Sequence, residues 1–307
     1  MNENLNLISG NKGIERITLA AEMLHQKILT HVNTQTGQTF STYSPWMCAY
    51  EKLELLLPLF KTPLPLFLAN REQLSLIEKA YLSGDSVGLG YLGMDDPRVE
   101  IFVDVADFAP WGESVIRNTM DLISSSSEIL YRQFMTLVKT IVPFVVKDSN
   151  IDDPDMEPGT SSQRAKGAIF HTLPKSNSAI DTFDFAVNLV HELGHQTLMI
   201  YQAGDSILSS PLNAPVWSAI RKNQRPAIMC VHAVAALSFM LLFVNASIAN
   251  KKLCSSVNQH AMIRRNKIQE DLSIGIEILM NNCTFSLLGQ LLMKDFKECL
   301  HSKQIHS

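Results

Sequence analysis

Phe185-Ala-Val-Asn-Leu-Val-His191-Glu192-Leu193-Gly194-His195 is the stretch on which the fold turns. An apolar run that passes into a His-Glu-Leu-Gly-His pentapeptide reads as a helix entering a core. Two histidines four apart on a helix are offset by only about 40°, so both imidazoles point to one side and can grip one metal ion. The motif alone leaves open a helix carrying two solvated or core-satisfied histidines. A third metal ligand is what would separate the two readings.

The glutamate that a following helix supplies in zinc peptidases is missing. No Glu occurs between Glu192 and Glu270, and Asp205 is the only acidic residue in that interval. His232 does occur, in the uncharged segment Ala227 to Ala249. A histidine buried there must shed its charge and find hydrogen-bond partners, or bind a metal. Alone it reads as a satisfied core histidine; opposite a His-Glu-x-x-His helix it becomes the expected third ligand. His260, in a polar stretch, and His171, in a β-like run, are weaker candidates.

The segment around His232 is long enough to cross a bilayer. Its His232, Ser238, Asn245 and Ser247, and the absence of any comparable segment, favour a buried central helix ringed by others instead. No membrane partner is expected. A net charge of −4 and a pI near 6.1 offer nucleic acid no general attraction, and the basic residues are scattered apart from Arg264-Arg265. Five cysteines without metal-finger spacing fit reduced thiols. The start, Met1-Asn-Glu-Asn-Leu-Asn, lacks the basic and apolar regions of a signal peptide, so the expected location is cytoplasmic.

The fold expected is mainly α, a large helical domain built around the two buried histidine helices, with a small β element beside the metal-binding one. Residues 1–147 read as a helical N-terminal region, with a possible role in contacting substrate. Within it, helices are expected over Ile14–Val32, Tyr50–Phe60 and Asn70–Leu82, the last entered through the Pro63-Leu-Pro65 breaker, and a strand over Val99–Val105. Ser114–Val146 reads as one or two helices that Pro143 kinks or ends. Residues 148–166 turn abruptly polar and form a surface linker, with a lid as the alternative. Residues 167–307 are the metal-binding region. In it Gly167-Ala-Ile-Phe-His171-Thr-Leu is β-like, and as an edge strand it could hold an extended peptide by backbone pairing. Asp181 or Thr182 is the expected cap of the helix that follows.

His191-Glu-Leu-Gly-His195, then Arg221-x-x-x-Arg225-Pro226, then His232 six residues beyond the proline resemble the His-Glu-x-x-His family associated with ribosomally made peptide natural products. The resemblance spans about Gly167 to Val244 and finds no motif in the N-terminal half. The residue before the first arginine, commonly aromatic in that family, is Ile220 here. What the resemblance implies is hydroxylation of a peptide β-carbon with iron(II) and 2-oxoglutarate as cofactors and a precursor peptide as substrate partner. It implies His191, His195 and His232 as iron ligands, which leaves three octahedral positions for 2-oxoglutarate and dioxygen. It also implies Arg225, with Arg221 in reserve, as the cation for the distal carboxylate of 2-oxoglutarate. Glu192 would orient substrate or water, or support a ligand. Two other readings stand beside this one. The first is a zinc hydrolase with Glu192 as general base; the second is a non-catalytic binding module stabilised by metal.

Overall fold

The computed structural model describes residues 7–8, 10–81, 99–101, 109–146, 159–174, 176–250 and 253–301. Among these the chain is mainly α with small sheets, as its sequence predicts. The helices are α1 (Gly10–Thr36), α2 (Leu53–Phe60), α3 (Arg71–Tyr81), α4 (Ala109–Ser126), α5 (Glu128–Leu137), α6 (Ala179–Gly204), α7 (Ala227–Ala249), α8 (Ser255–Asn282) and α9 (Leu287–His301).

Contacts divide the chain into two compact units made of interleaved stretches. Met1–Ala21, Thr119–Phe134 and Ser178–Ser307 form the first; Glu22–Asn118 and Met135–Asn177 form the second. Composition suggests boundaries at 147 and 166, whereas contacts cut the chain elsewhere. A long helix such as α1 can pass from one core to another without any polar linker to advertise it. Of the expected linker or lid, residues 148–158 lie outside the described residues, as do residues 102–105 of the expected strand.

The second unit holds α2, α3 and a four-stranded sheet of order β1-β2-β4-β3. β1 (Val99–Ile101) runs antiparallel to β2 (Thr140–Val146), β2 runs parallel to β4 (Ala168–His171), and β3 (Gly159–Ser161) closes antiparallel on β4. The expected helix through Val146 is corrected here: its last residues are strand β2. Thr140, Ile141 and Val142 are β-branched and suit a pleated surface. Pro143 falls where pairing passes from β4 to β1, so its missing N–H costs neither ladder an interior bond. The β-like run after Gly167 does form β4, yet β2 and β3 flank it on both sides. It is not an edge strand, and no peptide can add to it.

The first unit is built on α6. Ser178, rather than Asp181 or Thr182, caps this helix: its Oγ accepts the Asp181 N–H at 3.1 Å, which leaves Asp181 in the first turn, where a negative charge meets the helix dipole favourably. α7 packs against α6, α8 and α9. It is the one described helix long and apolar enough to span a membrane, and 72% of its most apolar window is buried within the protein. Phe239 and Phe243 on α7 are fully enclosed, and each such side chain contributes about 1.5–3 kcal/mol. A hairpin of β5 (Pro215–Ser218) and β6 (Asn223–Pro226) leads straight into α7 and packs on it. That hairpin is the β element of the unit that carries His191 and His195. The chain near its start is tied to α9 and α6, since the Asp295 carboxylate accepts the Leu7 and Ile8 N–H groups and Tyr201 donates to the Leu7 carbonyl at 2.7 Å.

Candidate metal centre

Helical periodicity sets out the polar groups of α6 before any packing occurs. Asp184, His191, His195 and Gln202 recur at intervals of seven, four and seven residues, which keeps all four within about 40° on one face. Most of the rest of α6 is apolar and buried. The stripe therefore has to face something that can satisfy it.

Gly194 decides how close that partner comes. A Cβ at this position would stand 2.8 Å from the Ala236 Cα and 3.1 Å from the Ala235 carbonyl oxygen. Only a residue without a side chain lets α6 and α7 cross at this distance. The crossing carries His232, one turn before Ala236, to His195, and Met240, one turn after it, to His191.

His191 Nε2 and His195 Nε2 lie 3.0 Å apart. Two nitrogens bound to one ion at about 2.1 Å, with angles of 90° to 109°, are about 3.0–3.4 Å apart, so the pair is spaced for a shared metal. The Glu192 carboxylate joins them, all three donor atoms lying within 4.8 Å of one another. The far side of each ring is also occupied. His191 Nδ1 meets the Met240 sulfur at 3.3 Å, and His195 Nδ1 meets His232 Nδ1 at 3.3 Å. His232 Nε2 in turn lies 2.9 Å from Gln202 Oε1. The three imidazoles thus stand in a row. His195 is in the middle and turns a different nitrogen to each neighbour.

Burial makes all three poor bases. Desolvation first, then the charge of Arg264, lowers His191 to about 4. Desolvation first, then His191, His232 and Arg225, lowers His195 well below the usual histidine value. Desolvation also takes His232 to about 4. At neutral pH the rings are uncharged and keep lone pairs for a metal. His191 retains 27% of its side-chain surface, so the centre opens to solvent on that side, while Glu192 is enclosed at 3%.

The fold thus brings together His191, Glu192 and His195, and it sets His232 against the last of these. Arg225, in β6, is close enough for its charge to act on His195. Arg221 sits at the tip of the hairpin, where its N–H is taken by Ser218 Oγ at 3.2 Å. His260 serves elsewhere: its Nε2 binds both oxygens of Asp184 at 2.8 and 2.9 Å. His171 belongs to the second unit, with Nδ1 2.6 Å from the Thr172 carbonyl.

Three participants escape sequence reasoning. Gln202 shares the stripe of the histidines, and extending the helical period from His195 would have found it. Met240 looks like any apolar core residue. Arg264, on α8, pairs through Nε with Asp184 at 3.5 Å and acts on His191, but in sequence it is one of several cations on a polar helix. Compared with known proteins, the chain matches no family model and no curated protein sequence.

Proposed function

We propose that this protein is an iron(II)- and 2-oxoglutarate-dependent oxygenase that hydroxylates a β-carbon of a ribosomally made peptide. The observation that carries the reading is the open cluster of His191, Glu192 and His195, with Arg225 close enough for its charge to act on His195. Two histidine nitrogens spaced for one ion, with positions left free beside them, fit a non-haem iron(II) oxygenase, while Glu192, whose Oε1 lies 3.9 Å from His191 Nε2, stands outside that spacing as a supporting carboxylate. When bound, ferrous iron with 2-oxoglutarate supplies the oxidising chemistry. His191 and His195 offer Nε2 lone pairs, Glu192 is the nearest carboxylate, and His232, with one nitrogen toward His195 and the other toward Gln202, stands behind His195. Arg225, through its planar fork, pairs with the distal carboxylate of 2-oxoglutarate. The apolar surface of α7 keeps water from the inner side of the centre, and the peptide enters from the open side at His191.

Zinc-dependent hydrolysis is the second reading, with Glu192 as general base. The nearness of its carboxylate to both histidines favours that role. It leaves Arg225 without a task.

The two separate in one assay. The protein is purified without oxygen, its iron and zinc are quantified, and succinate is followed after adding ferrous ion, 2-oxoglutarate and air. The oxygenase forms succinate, loses it in His191→Ala, and in Arg225→Ala needs ten- to a hundredfold more 2-oxoglutarate, the equivalent of about 1.5–3 kcal/mol for a charged hydrogen bond. A zinc-loaded protein that cleaves peptides regardless of 2-oxoglutarate, and forms no succinate with iron, refutes it.

A further inference from the structure

We infer that Gln202 and His232 form a brace that presents His195 to the metal, with Gln202 as the residue that sets the proton positions. The inference rests on the metal-centre reading above, though not on which metal is bound or which reaction follows.

The argument runs outward from the ion. To bind a metal through Nε2, the nitrogen facing His191, His195 must leave that atom bare. A neutral imidazole then carries its proton on Nδ1. The group in front of that nitrogen is His232 Nδ1 at 3.3 Å, which has to accept. His232 accordingly holds its own proton on Nε2, and that N–H needs an acceptor. Gln202 Oε1, at 2.9 Å, is that acceptor. Each proton position follows from the one before, and an acceptor oxygen is required only at the end of the row. The same logic on the other ligand gives His191 an Nδ1 proton aimed at the Met240 sulfur, a weak acceptor. His195 is therefore the firmly held ligand and His191 the looser one, on the side open to solvent.

Placement supports the role. Gln202 lies two turns beyond His195 on the same face of α6, and the His232 ring spans the gap between them, one nitrogen toward each. Both His232 partners come from one rigid helix, so the brace does not depend on a loop. Hydrogen-bond partners behind ligating histidines typically account for ten- to a hundredfold in metal affinity.

The test uses zinc and the full-length chain. Gln202→Leu, which removes the acceptor, is expected to weaken zinc binding ten- to a hundredfold with the melting temperature of the metal-free protein little changed. Gln202→Glu restores an acceptor and recovers most of that affinity, which a merely space-filling role for residue 202 does not explain. In the zinc-loaded wild type, nitrogen NMR should show His232 protonated on Nε2, a readout that stands even where a variant fails to fold. Equal zinc affinity in wild type and Gln202→Leu, or a proton on His232 Nδ1, overturns the brace and leaves the metal centre intact. A wild-type protein that binds no zinc overturns the metal centre itself, and the brace with it.

Discussion

Replacing Gly194 by alanine tests the helix crossing on which the centre depends. The new Cβ would lie 2.8 Å from the Ala236 Cα, where carbon atoms rest comfortably at about 3.5–4.0 Å. Helices α6 and α7 must therefore separate by about 0.7 Å or more, because the Ala236 Cα and Ala235 carbonyl that the new Cβ meets are backbone atoms and no side chain can swing away. Overpacking of this kind costs about 1–3 kcal/mol, while replacing a helical glycine by alanine returns about 0.8–1 kcal/mol. The net expectation is a loss of up to about 2 kcal/mol, centred near 1, and at roughly 2–4 °C per kcal/mol the melting temperature falls by about 2–4 °C at the centre of that range and by up to about 8 °C at its end. The same separation pulls His232 from His195, now at 3.3 Å, and weakens metal binding. Gly204→Ala, at the end of α6 with nothing within 4 Å, is the control and should be neutral or slightly stabilising. Thermal melts and zinc titrations of both variants decide the matter. If Gly194→Ala melts no lower than Gly204→Ala and binds zinc as tightly as wild type, the crossing is not as close as described.

Metal should also act on stability directly: zinc at a hundred times its dissociation constant adds about 2.7 kcal/mol, a chelator reverses it, and His191→Ala abolishes it, so a melt indifferent to zinc argues against a site in the folded state. At Asp295, burial foremost, with Glu298 adding and the Leu7 and Ile8 N–H groups and Lys294 opposing, raises the carboxyl from 3.8 to about 6. A carboxyl raised in the folded state binds protons more strongly there than in the unfolded chain, so its contribution to stability is greatest below pH 3.8 and is lost as pH rises through about 6. Asp295→Asn, which stays neutral and keeps an acceptor for those N–H groups, should stabilise the protein by about 2–3 kcal/mol at pH 7.5, with the gain shrinking towards pH 4. A difference between variant and wild type that is constant across that range would show that the buried charge is not its source.

Much of the helical architecture was legible because helices report themselves locally. Four-residue spacing puts His191 and His195 on one side of α6 whatever surrounds it, and the charge-free run of α7 announces burial on most of its faces. The strand at Thr140–Val146 was not legible, since a short apolar run with a proline carries no period of its own. It becomes a strand because β1 and β4 come to lie beside it from elsewhere in the chain. The cap shifted from Asp181 to Ser178 by a choice among neighbouring polar residues, which only the finished backbone makes.

The sequence by itself determined the two imidazoles on one helical face, the carboxylate beside them, the buried helix bearing His232 and a net charge of −4. All of these are matters of spacing along one segment or of composition, and they need no partner to be true. Tertiary structure alone decided that His232 meets His195 at its far nitrogen, that Gln202 ends the row, that Arg225 and Arg264 bring charge to the histidines, and that the four-stranded sheet belongs to the other unit. Each of these depends on a contact between segments distant in the chain, and the meeting of His232 with His195 depends on how closely α6 and α7 approach at Gly194. No local pattern encodes such a distance, because it is fixed by the shapes of both surfaces at once.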